Sequence, residues 1–196
     1  VTQGPHSDFV GYAEDAADVT VRRFRALGEG RFELILDRTP FYAESGGQIG
    51  DHGTLASRDG SVVLAVENTT KGGMGFVHTA RAVHGTLDAQ SARLPFHAEV
   101  DALRRRQIES NHTATHLLHE ALRHCISDQI FQSGSLVAPD RLRFDFSHGA
   151  PVSDEQLQAV EDRVNDFIVA SHAVTIHEDV DREEAVNELG AMAIFG

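Results

Sequence analysis

The distribution of glycine, proline and apolar residues changes near residue 95, and this change limits the folds that the chain can adopt. Before that point, short apolar segments are separated by glycine-containing turns, and Phe32, Leu34 and Leu36 fall on alternate positions. Alternation with a period of two indicates half-buried strands, and a series of short strands favours a small barrel or sandwich. After that point, residues 99–125 contain neither glycine nor proline, which predicts one long helix.

The second half of the chain mixes helical and strand patterns. Residues 141–147 alternate strictly and predict a strand, whereas residues 132–135 are polar and predict a loop. Ser153 has the spacing of a capping box and predicts the start of a second helix. A further strand is expected over residues 173–178, and Asp181 is expected to cap a short helix.

The sequence therefore predicts an α+β fold with two subdomains. Residues 1–95 are expected to form a small β-barrel-like subdomain that contains a glycine-rich loop. Residues 96–196 are expected to form a mixed α/β subdomain. Its long helix would carry the sequence His-x-x-x-His, with the histidines at His112 and His116.

Composition narrows the possible partners. The net charge is −13, and residues 151–196 carry −9 of it because eleven Asp and Glu stand against two Arg. Binding to a nucleic-acid backbone needs positive charge, so contact with RNA would require a local basic patch. The single cysteine, Cys125, rules out an internal disulfide framework, and neither a membrane-spanning run nor a signal peptide is visible. We therefore expect a cytoplasmic protein without a membrane or DNA partner.

The strongest local signal is the pair His112 and His116. On a helix, residues four apart lie on the same face with Cβ atoms about 5–6 Å apart, so two imidazoles can reach one metal ion. Zinc proteases use this spacing with a glutamate directly after the first histidine, but Thr113 occupies that position here, which excludes a protease mechanism. The alternative is that both histidines are polar residues at the rim of a helix.

Two further segments could contact a ligand. The sequence around Gly46 and Gly47 permits close backbone approach, but it lacks the features of a P-loop or a dinucleotide-binding loop. It is therefore either a tight turn or a backbone surface that admits a ligand. Arg104, Arg105 and Arg106 lie shortly before the histidines, either as a solvated helix face or as a contact for phosphate.

Five segments, taken in order, form a pattern that is far more specific than any one of them. They are TPFYAESGGQ at 39–48, NHTATHLLH at 111–119, QSGSLV at 132–137, LRFDFSH at 142–148 and GAMAIFG at 190–196. This pattern closely resembles the editing domain of bacterial alanyl-tRNA synthetase, and the free-standing AlaX proteins share the histidine motif. The similarity covers nearly the whole chain.

The resemblance implies an activity that spacing alone does not show. The family's editing domain hydrolyses serine or glycine wrongly attached to alanine tRNA, while another domain ligates alanine to the tRNA with ATP. In the family, the histidine pair, here His112 and His116, belongs to a zinc site that a later Cys-x-x-x-His motif completes. On the same match, Thr115 would help to discriminate between amino-acid side chains of the substrate, and Gln132 would line the pocket. The match assigns no catalytic residue. The expected partner is the acceptor end of alanine tRNA.

The family's Cys-x-x-x-His motif lies downstream of the segment that corresponds to residues 190–196. Because a stable zinc site has roughly three or four protein ligands, we expect the isolated chain to bind zinc weakly or not at all and to hydrolyse mischarged tRNA poorly. Two alternatives from other classes are a tRNA-binding module without catalysis and a structural zinc domain. Mischarged-tRNA hydrolysis, salt-dependent tRNA binding without hydrolysis, and tight zinc binding without tRNA affinity would distinguish the three.

Overall fold

The computed structural model describes residues 7–175, 177 and 180–190. These residues divide into two compact units. The barrel unit contains the described residues up to Asn111 together with Leu136–Arg141, and the histidine unit contains His112–Ser135 and the described residues from Leu142 onwards. The predicted boundary between residues 95 and 96 stays a prediction. No helix in the described ranges is both long and apolar enough to cross a membrane.

Six antiparallel strands close into a barrel in the barrel unit. In chain order, the strands of the barrel unit up to Val100, including two that lie outside the barrel, are β1 (Asp8–Phe9), β2 (Ala16–Gly28), β3 (Arg31–Leu36), β4 (Arg38–Thr39), β5 (Gly53–Ser57), β6 (Val63–Gly72), β7 (Gly75–His84) and β8 (Pro95–Val100). The order around the barrel is β2, β3, β7, β6, β5 and β8, and β8 closes the ring by pairing with β2. The short strands β1 and β4 form a separate parallel pair. The barrel predicted from the alternating pattern is confirmed.

The alternating apolar residues of the strands fill the interior of the barrel. Phe32, Leu34 and Leu36 of β3 are almost completely buried, as the period of two predicts. They belong to one core with inward-facing residues of the other strands, such as Leu55 and Phe96. Burying a side chain of this size contributes about 1.5–3 kcal/mol relative to leaving it exposed. The barrel unit therefore has its own continuous apolar core.

The helix α1 (Ala102–Cys125) begins in the barrel unit and continues as the first element of the histidine unit. After it come β9 (Gln132–Val137), β10 (Leu142–Phe146), α2 (Asp154–Ala170) and α3 (Arg182–Asn187). The strands β9 and β10 form a two-stranded sheet. A second, smaller core forms where Ala121 and Leu122 of α1 meet Ile130 and Val160. The barrel, the helices and the further strands together give the α+β fold that the sequence predicts.

The starts of α2 and α3 agree with the capping signals in the sequence. The Ser153 side chain accepts a hydrogen bond from the backbone N–H of Gln156, and the Gln156 side chain accepts one from the backbone N–H of Ser153. The Asp181 side chain accepts from the backbone N–H groups of Glu183 and Glu184. Both predicted helix starts are thus confirmed, since each cap satisfies donors that a helix leaves unpaired at its first turn.

Two predicted local structures differ from the observed ones. The predicted loop at residues 132–135 is wrong, because these residues begin β9 and strand pairing with β10 outweighs their low strand propensity. The predicted strand at residues 173–178 is wrong for residues 173–175 and 177, which lie in no strand, and residues 176 and 178 lie outside the described residues. The segment at 190–196 also lies outside them, apart from Gly190.

Candidate functional site

The histidine pair lies on α1 with both rings on the same face of the helix. The ring centroids of His112 and His116 are 5.1 Å apart, and the ring planes differ by 30°. Because α1 is unbroken through this region, the four-residue spacing places the two side chains one above the other. Both residues are exposed, so a ligand can reach the ring nitrogens from solvent.

The surroundings of His116 favour its neutral form. Partial burial of the ring lowers the pKa of His116, and His112 and His119 lower it further because their positive charge would repel an imidazolium. A neutral imidazole keeps a lone pair on one of its ring nitrogens. At neutral pH, His116 can therefore accept a proton or coordinate a metal ion.

The two imidazoles fit part of a zinc site. Catalytic zinc is normally held by about three protein ligands with a further position open. In the described part of the chain, no group of three or more His, Cys, Asp and Glu side chains is arranged to hold a metal ion. His112 and His116 can fill two positions around zinc, fewer than a catalytic zinc site needs.

The two predicted substrate-binding residues lie in the histidine unit with the pair. Thr115 precedes His116 on α1, and its side chain is buried, with 5% of the residue exposed. Gln132 begins β9 and is half-buried, and its Nε2 atom donates to Ser135 Oγ over 3.0 Å. This hydrogen bond orients the amide of Gln132. The roles of Thr115 and Gln132 in substrate recognition stay predictions, as does metal binding by the histidines.

A third histidine on the same helix has a structural environment. His119 is buried, and its ring packs against the ring of Phe144 with centroids 5.1 Å apart. Its Nε2 atom lies 3.4 Å from the carbonyl oxygen of Ile130. His119 lies three residues after His116 on the same helix, and its packing shows that helical spacing alone does not identify a ligand.

Phe131, directly before Gln132, is a candidate that motif comparison misses. It is the only exposed phenylalanine in the described ranges, with 57% of the residue accessible to solvent. The guanidinium carbon of Arg123 lies 6.0 Å from the centroid of its ring. An aromatic residue that enters an otherwise polar segment is the sequence signal that could have identified it.

The centre of the arginine triplet is enclosed in the barrel unit. Arg105 is 7% exposed, and its guanidinium forms an ion pair with the fully buried carboxylate of Asp51. It also donates to the carbonyl oxygens of Gly11 and Pro40, both over 2.9 Å. The interpretations as a solvated face and as a phosphate contact are therefore both wrong for Arg105, whereas Arg106 beside it is exposed.

The glycine-rich loop contains a tight turn. Gly46 and Gly47 have positive φ angles of 59° and 86°, which glycine adopts without steric cost. Ser45 and Gln48 close the turn with two reciprocal backbone hydrogen bonds of 3.1 and 3.0 Å. Gln48 is 8% exposed, so its side chain packs within the barrel unit. The tight turn is confirmed, and a ligand-binding role for this loop stays a prediction.

Comparison with known proteins adds independent findings. Residues 7–101 match the profile of the family described as tRNA synthetases class II (A). The chain is 46% identical to an alanine–tRNA ligase of Chlorobaculum tepidum, 45% to one of Gluconobacter oxydans and 43% to one of Chlorobium phaeovibrioides. These alignments cover 96–98% of this chain and 22% of each relative. The chain is thus homologous to a segment of alanine–tRNA ligases, and it spans about a fifth of the length of these relatives.

Proposed function

We propose, from its homology to a segment of alanine–tRNA ligases, that this chain is the editing segment of such an enzyme. It would hydrolyse the ester bond of serine or glycine wrongly attached to alanine tRNA. Another part of the same enzyme would ligate alanine to the tRNA with ATP. The partner is then the acceptor end of alanine tRNA, and the reaction takes place in the cytoplasm.

The exposed, stacked pair of His112 and His116 is the observation that carries the proposal. The rings are open to a ligand, and the lowered pKa of His116 leaves it neutral and therefore able to use a lone pair. His78 of the barrel unit, in contrast, is enclosed and already hydrogen-bonded. The pair on α1 therefore supports the hydrolytic site better than the enclosed His78 does.

Hydrolysis of an aminoacyl ester requires water to attack the carbonyl carbon while the ribose oxygen leaves with a proton. A neutral imidazole can take the proton from the attacking water and return one to the leaving oxygen. The lone pair of His116 suits this proton transfer, and it equally suits coordination of zinc together with His112. Zinc, when bound, would polarise the ester carbonyl or lower the pKa of a bound water.

A second hydrolytic site has a physical reason in an enzyme that selects alanine. A pocket shaped for alanine cannot strongly exclude glycine, which is smaller, or serine, which adds only a hydroxyl group. A separate site that hydrogen-bonds the serine hydroxyl can remove the wrong product. We assign this recognition to the hydroxyl of Thr115 and the amide of Gln132, because both are polar groups of the same unit as the histidine pair.

The proposal is tested with the complete protein that carries this chain, using seryl-tRNA(Ala) as substrate and alanyl-tRNA(Ala) for comparison. We expect the seryl ester to be hydrolysed much faster than the alanyl ester. His116→Ala should lower the rate of seryl-tRNA hydrolysis at least about 100-fold, the usual contribution of a positioned proton-transfer group. His124→Ala is the matched control, because His124 is an exposed histidine on the same helix and should not alter the rate.

Zinc content measured on the same variants separates the two possible roles of the histidines. Loss of zinc in His112→Ala and His116→Ala supports a metal site, whereas retained zinc with lost hydrolysis supports proton transfer. Equal hydrolysis of seryl and alanyl esters, or full activity of both histidine variants, would contradict the proposal. Salt-dependent tRNA binding without hydrolysis would instead support a tRNA-binding module.

A further inference from the structure

The backbone of Phe131 is held in place, while its ring faces solvent. Its carbonyl oxygen accepts a hydrogen bond from the backbone N–H of Ser147 over 3.3 Å, so the backbone at this position is fixed. The preceding residue, Ile130, is almost fully buried in the core of the histidine unit. The protein therefore presents an aromatic ring to solvent from a backbone position that is fixed by a hydrogen bond and by the neighbouring core.

Arg123 adds a positive charge to this surface. Its guanidinium carbon lies 6.0 Å from the centroid of the Phe131 ring, within the range of a cation–π contact. Its Nη1 atom lies 3.5 Å from the carbonyl oxygen of Ile130, and it forms no ion pair with a carboxylate among the described residues. The charge of Arg123 therefore remains available to an anionic ligand.

The position of Arg123 relates this surface to the candidate site. Thr115, His119 and Arg123 are spaced by four residues, so their side chains follow one face of α1. His119 and Arg123 both approach the carbonyl oxygen of Ile130, the residue before Phe131. With a rise of about 1.5 Å per residue, Arg123 lies roughly 12 Å along the helix from Thr115.

We propose that Phe131 and Arg123 bind a nucleotide of the unpaired 3′ end of tRNA, with the base stacked on the ring and the phosphate near the guanidinium. The inference rests on the proposed function, because the aminoacyl ester lies at that end of the substrate. Unpaired bases stack on aromatic side chains without regard to sequence, and arginine contributes both charge and cation–π attraction. Arg123 supplies a positive charge at this surface, which contact with an RNA phosphate needs in a protein of net charge −13.

The test uses the 196-residue chain and two RNA hairpins with the acceptor stem of alanine tRNA, one with its single-stranded 3′ tail and one without. Fluorescence anisotropy measures the dissociation constant of each. The wild type should bind the tailed hairpin more tightly. Phe131→Ala should weaken binding of the tailed hairpin by about 5- to 150-fold, the range for one stacked base, and leave binding of the tailless hairpin unchanged.

Three further variants check the chemistry of the contact. Phe131→Tyr keeps an aromatic ring and should keep the affinity for the tail. Arg123→Gln should lower the slope of log affinity against log salt by about one, as expected for one lost phosphate contact. Leu103→Ala removes an exposed apolar side chain of α1, the helix that carries Arg123, and should have no effect. Circular dichroism of each variant verifies that the fold is retained.

The inference is overturned if the wild type binds both hairpins equally, or if a folded Phe131→Ala variant keeps full affinity for the tail. The RNA hairpins carry no amino acid, so their binding involves no hydrolysis. The binding measurement is therefore independent of the test of the proposed function. Tail binding through Phe131 without hydrolysis of seryl-tRNA would support the inference and contradict the proposed editing activity.

Discussion

His78 of the barrel unit and the pair His112 and His116 of the histidine unit have opposite environments. His78 is completely buried in the barrel, where its Nδ1–H donates to the carbonyl oxygen of Leu34 over 3.1 Å and its Nε2 accepts from the Thr39 hydroxyl over 2.8 Å. His112 and His116 are exposed and stack on each other. In a chain with twelve histidines, burial therefore marks His78 as structural, and exposure together with the stacking of the rings distinguishes His112 and His116 as candidates.

Arg105 of the barrel unit and Arg123 of the histidine unit differ in the same way. The guanidinium of Arg105 is enclosed by Asp51 and by backbone carbonyls, and these contacts occupy it within the barrel unit. Arg123 instead lies beside the exposed ring of Phe131. Both arginines belong to α1, so the difference arises from what packs against each part of the helix.

The largest expected effect comes from breaking the enclosed ion pair of the barrel unit. Arg105→Ala leaves the carboxylate of Asp51 buried without its counter-charge, and Asp51 Oδ1 already has no hydrogen-bond partner within the described part of the chain. We expect the free energy of unfolding to fall by about 3–5 kcal/mol, the usual cost of removing one partner of a buried pair. Urea denaturation monitored by circular dichroism measures this change.

The neighbouring arginine provides the control for this prediction. Arg106→Ala removes an exposed guanidinium one residue further along α1, and surface substitutions of this kind change stability by no more than about 0.5 kcal/mol. If Arg105→Ala changes stability as little as Arg106→Ala, the enclosed pair does not hold the barrel unit together, and the contrast between the two units is wrong.

A second expected effect is a loss of stability in mild acid caused by His78. Burial lowers the pKa of His78 to about 4, compared with 6.5 for an exposed histidine. The unfolded chain therefore binds a proton first as the pH falls, so the stability contributed by neutral His78 is complete above pH 6.5 and is lost towards pH 4. The difference of about 2.5 pH units corresponds to about 3 kcal/mol, measurable as the urea midpoint against pH.

Two variants isolate the contribution of His78 from that of other titrating groups. His78→Gln cannot be protonated in this range, so its stability should fall less steeply between pH 6.5 and 4 than that of the wild type. His84→Gln replaces an exposed histidine at the end of β7 and should retain the wild-type pH dependence. Parallel curves for the wild type and His78→Gln would show that the buried ring does not control stability in acid.

The smallest expected effect concerns a surface ion pair of the histidine unit. Arg163 of α2 contacts the carboxylate of Glu120 of α1 through two hydrogen bonds of 2.9 and 2.7 Å. The pair is partly exposed, so solvent screens it, and Arg163→Ala should reduce stability far less than Arg105→Ala does. A double-mutant cycle with Glu120→Gln measures the coupling, and a value as large as that for Arg105 would remove the contrast between enclosed and open polar groups.

Local patterns predicted much of the fold because its elements follow local rules. The period of two in β3, the run without glycine or proline in α1 and the cap at Ser153 each depend on neighbouring residues. The strand at 132–135 depends instead on pairing with β10. The polar and glycine residues of this segment do not predict such pairing. The pair of Arg105 and Asp51 joins residues 54 positions apart, so no local signal identifies it.

The candidate site was predictable to a similar degree. The spacing of His112 and His116 predicts rings on one helix face, and the structure places them there. The same spacing also relates His116 to Glu120 and Thr115 to His119, and only packing distinguishes these residues from the pair. The burial of His119 against Phe144 depends on β10, which lies far along the chain, so its environment requires the three-dimensional structure.

The most direct test is an NMR titration that follows residues of both units while a substrate analogue binds. The probe is adenosine that carries serine through a 3′-amide bond, which replaces the ester and is not readily hydrolysed. Backbone and side-chain NMR shifts of the 196-residue chain are followed during its titration. The account predicts saturable shifts at Thr115, His116 and Gln132 and unchanged resonances for His78. Shifts confined to the barrel unit, or none in the histidine unit at saturating probe, would contradict it.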